Sequence, residues 1–171
     1  NQQLQKIIAC EPTWLPRYEF PTTTRIDQDW QLTRKPNELL LLEGIHALNP
    51  EVITIPEEMT VRIYVSVRTR VTNGETVLHP SRLRLMRRML RDRNFRHRSV
   101  AETLSMFEHV QAGEHKYIAP YKKRALFSVD TFLPYELGIY KTLLDGELEA
   151  EMQHPLLREL RQMWDDVEPL R

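Results

Sequence analysis

The sequence predicts an α/β protein built around a parallel sheet. Residues 39–42 and 61–67 have the apolar or β-branched composition of buried strands, and residues 125–129 are a third strand candidate. Segments with the 3.6-residue apolar period of helices alternate with these strands, which indicates an α/β domain. A chain of 171 residues is long enough for one domain, or for one domain with a small appendage.

The composition excludes several classes of protein. The 24 basic and 24 acidic side chains cancel, and charged residues make up 28% of the chain, as in ordinary globular proteins. The leucine run at residues 39–42 is too short to cross a bilayer, so no membrane partner is expected. Cys10 is the only cysteine, which excludes an internal disulfide and a cysteine-based zinc site and favours a cytoplasmic protein. The chain opens at Asn1 inside a helix-like pattern, which favours the hypothesis that it is a fragment.

The first third of the chain predicts a helix, a hairpin and a buried strand. Residues 1–9 resemble the last turns of a helix, and residues 14–35 alternate in two runs that indicate a β-hairpin. The four leucines at residues 39–42 favour a strand buried on both faces, with Glu43 at its carboxyl end, where open α/β sheets bind ligands. Such a strand is expected to have neighbours on both sides or to leave an exposed apolar edge.

The remaining elements follow from turn and capping signals. After the strand at residues 61–67, the polar loop at residues 68–79 is the clearest linker candidate. A helix follows and is expected to end near Asn94. Ser99 and Glu102 have the spacing of a capping box, which starts a helix that we expect Gly113 to stop. Residues 135–144 and 155–164 predict two further helices.

Positive charge is concentrated at residues 82–98, which hold eight arginines and one acidic residue, Asp92. On a helix, the leucines and methionines of this stretch share one side, and four arginines share the other. Those four are Arg84, Arg87, Arg88 and Arg91. Neighbouring like charges repel, and arginine favours forked recognition of phosphate or carboxylate, so the pattern predicts an anionic partner. A solvated face with scattered ion pairs is the alternative.

Six segments then occur in a distinctive order. They are PRYEFPTTTR at residues 16–25, LLLLEGIHALNP at 39–50, IYVS at 63–66, the arginine stretch at 82–98, KYIAP at 116–120 and YEL at 135–137. Together they resemble the uridine kinase and phosphoribulokinase family of P-loop phosphotransferases, above all bacterial uridine kinase-like proteins with an upstream threonyl-tRNA-synthetase-like module.

The resemblance implies a nucleoside-monophosphate-kinase-like fold, a parallel-sheet P-loop NTPase whose first strand and Walker A loop precede Asn1. No G-x-x-x-x-G-K-[ST] motif occurs in the 171 residues. Residues 1–171 would then be the carboxy-terminal portion of a kinase-like domain. It would contain an acceptor-site hairpin insertion at 14–35, a helical arginine-rich lid at 79–112 and a carboxy-terminal helical extension at 145–171.

The function that the resemblance implies is ATP-dependent phosphoryl transfer, with ATP and Mg²⁺ as cofactors, to a nucleoside or sugar-like hydroxyl acceptor. Glu43, Arg91 and Arg96 would be catalytic, and Glu43 would hold Mg²⁺ directly or through water. The residues expected to bind substrate are Tyr18, Phe20, Arg88 and Arg98. Arg87 and Arg91 would bind the nucleotide phosphates. The lid is expected to be mobile without ligand, and this chain alone is expected not to turn over ATP.

Several questions stay open at the level of sequence. The acceptor is not identified, because Thr23 stands where uridine kinases have a base-contacting histidine. His97 replaces a lid glycine, and Asp130 replaces a usual asparagine. The alternatives are a non-catalytic RNA- or anion-binding regulatory module and a catalytically inactive structural domain. Homo-oligomerisation is also left open.

Overall fold

The computed structural model describes residues 1–19 and 22–170. The chain forms two compact units. The first unit consists of Asn1–Arg62 and Tyr117–Ala125, and the second of Ile63–Lys116 and the residues from Leu126 onward. Within the described ranges, every helix is too short or too polar to traverse a lipid bilayer.

The first unit contains the predicted helix and hairpin. Helix α1 (Gln2–Ile8) precedes strands β1 (Thr13–Glu19) and β2 (Thr24–Leu32), which pair antiparallel and confirm the predicted hairpin. The Arg34 guanidinium donates to the carbonyl oxygens of Ile7 (3.1 Å) and Ile8 (2.8 Å). These carbonyls lie at the end of α1, where the helix itself provides no partner, so Arg34 fastens the end of the helix.

The predicted strand at residues 39–42 is wrong. This segment has no regular secondary structure, and Leu39 and Leu41 are 102% and 90% exposed. A strand needs a neighbour for its backbone N–H and C=O groups, and no described strand pairs with this segment. The predicted exposed apolar edge presupposed a strand, so it is not confirmed, although the leucine side chains themselves are exposed.

The second unit has a small parallel sheet and a separate hairpin. Strand β3 (Ile63–Ser66) pairs parallel with β6 (Phe127–Asp130), which confirms two of the three predicted core strands. Strands β4 (Val71–Asn73) and β5 (Thr76–Leu78) pair antiparallel around Gly74, whose φ of 57° suits glycine. The loop predicted as a linker is thus largely a hairpin within one unit, and the boundary between units precedes it at residues 62–63.

Helices provide most of the core of the second unit. They are α2 (Pro80–Arg96), α3 (Val100–Tyr117), α4 (Glu136–Glu151) and α5 (Arg158–Met163), with 3₁₀ turns at Pro155–Leu157 and Trp164–Asp166. The apolar side of α2 is buried as predicted, and Leu83, Leu85 and Met86 are each 0% exposed. Burial of a leucine-sized side chain contributes about 2 kcal/mol, so this side holds α2 in place.

Three helix ends differ from prediction, and the largest difference is in helix α4, which continues to Glu151 instead of ending at residue 144. Helix α2 reaches Arg96 instead of ending near Asn94. Helix α3 continues through Gly113 to Tyr117, because one glycine costs a helix only about 1 kcal/mol, less than the burial of Leu104 and Phe107 returns. The capping box is confirmed. The Ser99 N–H donates to Glu102 Oε2 (2.7 Å), and the Glu102 N–H donates to Ser99 Oγ (3.2 Å).

Asp130 is the last residue of β6, and its carboxylate links the loops that follow β3 and β6 by hydrogen bonds. Its carboxylate accepts bonds from the N–H groups of Arg68 (3.0 Å) and Phe132 (3.0 Å) and from the Thr69 hydroxyl (2.8 Å). The bonds from Arg68 and then Thr69 lower the pKa of Asp130 from 3.8 to about 2. The charged carboxylate therefore favours the folded state above its unfolded pKa, and this contribution is lost as the pH falls through the folded pKa.

We expect Asp130→Asn to remove this pH dependence while keeping the fold. The amide oxygen can accept from the two N–H groups, and the Thr69 hydroxyl can turn to accept from the amide nitrogen. The difference in stability between wild type and variant, measured by urea unfolding, should narrow from about pH 4 to about pH 2. A difference that stays constant across this range would contradict the assignment.

Candidate functional site

The eight arginines of residues 82–98 fall into two groups. The arginines of the first group each have a glutamate partner from a distant part of the chain. These pairs are Arg82–Glu159 (3.1 Å), Arg84–Glu114, Arg87–Glu136 (2.7 Å) and Arg93–Glu147 (2.6 Å). The second group, which we call the arginine cluster, consists of Arg88, Arg91, Arg96 and Arg98, and all four share one carboxylate, Asp92.

The arginine cluster surrounds Asp92 closely. Arg96 Nη1 donates to Asp92 Oδ1 at 3.0 Å. The other ion contacts are longer: 3.3 Å from Arg88 Nε, 3.5 Å from Arg91 Nε and 3.9 Å from Arg98 Nη1. Asp92 itself is 0% exposed. Among the described residues, Arg88 Nε and Asp92 Oδ2 have no hydrogen bond of good geometry.

The charge of the cluster is unbalanced. Four guanidiniums surround one carboxylate, and within residues 1–19 and 22–170 they form no ion pair with a second carboxylate. Burial, and then repulsion from the other arginines of the cluster, lowers the pKa of Arg88 against the opposing effect of Asp92. Guanidiniums held this close, with donors to spare, can bind phosphate oxygens through charge-assisted hydrogen bonds.

The end of α2 brings the last arginine of the cluster into place. His97 caps the helix in the left-handed region (φ 53°, ψ 40°), and the Arg98 N–H then donates to the Asp92 carbonyl at 3.1 Å. This turn directs the chain back over the helix end, so Arg98 reaches the carboxylate that Arg88 and Arg96 reach by i,i+4 spacing. The left-handed conformation costs a residue other than glycine about 1 kcal/mol.

Arg87 differs from the arginine cluster. Its guanidinium binds both carboxylate oxygens of Glu136 (2.7 and 3.0 Å) and donates to the Thr131 hydroxyl (3.0 Å) and carbonyl (2.5 Å). Glu136 is 3% exposed and also accepts from the Tyr140 hydroxyl at 2.7 Å. The predicted contact between Arg87 and nucleotide phosphates stays a prediction, and Arg87 would have to leave Glu136 to make it.

In the first unit, Tyr18 lines a cavity of about 560 Å³. Arg17, Arg25 and Trp30 also line it, together with the leucines at positions 40–42. The cavity lining is mostly apolar and includes two arginine side chains, which suits a small polar molecule with an apolar face. Phe20 was predicted to line the same pocket and lies outside the described residues.

Glu43 lies in the exposed segment that follows the leucine run. No group of three or more His, Cys, Asp or Glu side chains among the described residues has the arrangement of a metal site. Magnesium in phosphoryl-transfer enzymes is bound by one or two carboxylates together with substrate phosphates. The assignment of Glu43 to magnesium stays a prediction, in which this exposed carboxylate would supply one ligand and substrate phosphates the others.

The fold and the cluster define an α/β protein in which four arginines of helix α2 and the turn after it surround one buried carboxylate. Comparison with known proteins identifies the family: residues 1–133 match the Phosphoribulokinase / Uridine kinase family, and the chain belongs to it. Uridine kinases from Staphylococcus aureus strains JH9, Newman and JH1 are each 31% identical over 132 residues, 77% of this chain. The alignment covers 54% of each relative, so the chain spans about half of their length.

Proposed function

We propose that this chain is part of an ATP-dependent phosphotransferase that acts on a nucleoside or a similar small hydroxyl acceptor. The observation that carries the proposal is the arginine cluster, in which four guanidiniums share a single buried carboxylate. Membership of the Phosphoribulokinase / Uridine kinase family supports the kinase class, and uridine kinase relatives support a nucleoside acceptor. A cytoplasmic location is part of the proposal, because a chain with one cysteine suits a reducing compartment.

The chemistry proposed for the cluster is charge neutralisation. Phosphoryl transfer is catalysed mainly by positioning and by stabilising charge on the transferred group. Arg91 and Arg96 are the catalytic candidates, and their side chains are 48% and 37% exposed, so a substrate phosphate can reach both. Arg88 and Arg98 would bind the phosphates of the substrates beside them. Arg87 stays a candidate for nucleotide binding, subject to release from Glu136.

The acceptor and the metal are assigned to the first unit. Tyr18 would bind the acceptor in its cavity, and Phe20 stays a second predicted substrate-binding residue. Glu43 would hold Mg²⁺ directly or through water, with nucleotide phosphates as the other ligands. The magnesium ion would supply further charge neutralisation to the reacting phosphates.

The alternative function is RNA or anion binding without catalysis. The observation that favours it is Phe95, which is 79% exposed and adjacent in sequence to Arg96. An exposed aromatic side chain next to guanidiniums can stack on an unpaired base while the arginines bind the backbone phosphates. Binding of RNA in place of ATP would support this function.

Activity measurements on two forms of the protein test the proposal. We expect the protein expressed from the complete gene to phosphorylate a nucleoside with ATP, and residues 1–171 alone to be inactive.

Tyr18→Ala should raise the KM for the acceptor about tenfold and leave the KM for ATP unchanged, because it removes a contact to one substrate only. Trp14→Ala is the control, since Trp14 is an exposed aromatic on the same strand. No turnover with any nucleoside, together with tight RNA binding, would reject the kinase function.

A further inference from the structure

We propose that Asp92 is the positioning residue of the anion site, whose carboxylate holds the arginine cluster in place before phosphate binds. The inference rests on the proposed function, because it concerns the same four arginines. The sequence predicted that the arginine lid is mobile until a phosphate supplies negative charge. The present proposal differs, because the Asp92 carboxylate supplies negative charge before any ligand binds. The ligand class is phosphate or polyphosphate.

The position of Asp92 supports this role. Asp92 lies three residues after Met89 on α2, and both side chains are buried, at 0% and 1% exposed. An ionised carboxylate is costly to bury unless it is paired, so guanidiniums must be close to it. The i,i+4 spacing of a helix supplies two of them, Arg88 and Arg96.

The backbone of Asp92 contributes as well. Its carbonyl accepts the N–H of His97, the cap of α2, and the N–H of Arg98 at 3.1 Å. One residue therefore organises the helix end twice, with its carbonyl setting the path of the chain and its carboxylate gathering the side chains. This combination explains how Arg98, which lies beyond the helix, joins arginines that lie within it.

The hydrogen bonds leave room for a ligand. Among the residues that the structure describes, only Arg96 donates a hydrogen bond of good geometry to the Asp92 carboxylate, at 3.0 Å, whereas the other ion contacts run from 3.3 to 3.9 Å. These three guanidiniums are held by charge attraction at ion-pair distance and not by hydrogen bonds of good geometry, so most of their N–H donors stay available to a ligand. A phosphate can thus bind the outer donors while the carboxylate keeps the inner ones, and the cluster needs little rearrangement.

The Asp92→Asn variant distinguishes two roles for Asp92: ordering the arginine cluster before phosphate binds, or only adding a negative charge near it. If Asp92 positions the cluster, the variant binds inorganic tripolyphosphate about tenfold more weakly than wild type, because the arginines must be ordered when the ligand binds. If Asp92 is only a nearby negative charge, the variant binds more tightly, since the cluster gains one unit of positive charge. The sign of the change in affinity therefore decides between the two roles.

The experiment is isothermal titration calorimetry of the 171-residue chain with tripolyphosphate, with melting temperatures measured alongside. Glu147→Gln is the matched control: it changes the net charge equally but removes the partner of Arg93, outside the cluster. We expect Glu147→Gln to leave the affinity unchanged. Asp92→Glu, which keeps the charge, should restore most of the affinity that Asp92→Asn loses.

Each result has one meaning. Wild type that fails to bind tripolyphosphate rejects the proposed function of the cluster, and the positioning role with it. Wild type that binds, with Asp92→Asn binding equally or more tightly, rejects only the positioning role. If Asp92→Asn does not fold, hydrogen exchange of the wild type decides. Slow exchange of the Arg96 guanidinium N–H, which donates to Asp92 Oδ1, supports the proposal when it is seen without ligand. Slow exchange that arises only after tripolyphosphate is added overturns it.

Discussion

Replacing Arg91 or Arg96 by alanine should lower kcat about 10³-fold in the protein expressed from the complete gene, the size expected for an arginine that stabilises charge in phosphoryl transfer. The melting temperature should change little, because both side chains are partly exposed and belong to a cluster with excess positive charge. Loss of one guanidinium also relieves repulsion among the others, which offsets the lost contact with Asp92.

Arg93→Ala is the matched control for these variants. Arg93 lies on the same helix, but its guanidinium binds Glu147 (2.6 Å) and the Leu143 carbonyl (2.7 Å) instead of Asp92. We expect its kcat to equal that of wild type. Full turnover in the Arg91 and Arg96 variants, combined with lost RNA affinity, would make the lid assignment wrong and would favour the binding module.

Local sequence patterns predicted the elements that need no distant partner. The Ser99–Glu102 capping box is satisfied within four consecutive residues, and the hairpin of β1 and β2 is closed by its own alternation and turn. The buried side of α2 also followed from the spacing of its leucines and methionines. In each case the pattern that predicts the element lies within a short stretch of chain, although the buried side of α2 packs against distant residues such as Leu144 and Leu160.

The segment at residues 39–42 was not predictable in this way. Four leucines are compatible with a buried strand, but strand formation depends on a neighbouring strand that supplies hydrogen bonds. No described strand provides them, and the leucines are exposed. Composition alone therefore identified the apolar character of the segment and not its conformation.

The candidate site was predicted in part. The sequence showed that residues 82–98 carry excess positive charge. It did not show which of the arginines are neutralised by a glutamate and which are not. The deciding glutamates are far away in sequence: Glu114 lies 30 residues from Arg84, and Glu159 lies 77 residues from Arg82. The one local signal was Asp92, four residues from both Arg88 and Arg96, and its role as the shared partner of the cluster became evident only with the structure.

The second large effect concerns stability. Arg87→Met should destabilise the second unit by about 3 kcal/mol, because it leaves the Glu136 carboxylate buried without its positive partner. Glu136 is 3% exposed, and Arg87 supplies two of its hydrogen bonds, at 2.7 and 3.0 Å. Those bonds raise the pKa of Arg87, as expected for a guanidinium stabilised by a close carboxylate. Urea unfolding of wild type and variant measures the loss.

Two further variants show whether the unpaired Glu136 carboxylate causes this loss of stability. Glu136→Gln in the Arg87→Met background should recover part of the stability, since a neutral amide is less costly to bury than a carboxylate. Arg84→Met should cost at most about 1 kcal/mol, because its pair with Glu114 is more exposed. Arg87→Met with unchanged stability but weakened ATP binding would instead support the predicted phosphate contact. A loss of stability with unchanged ATP affinity would identify Arg87 as the residue that anchors α2 to the start of α4, and would leave phosphate binding to the arginine cluster.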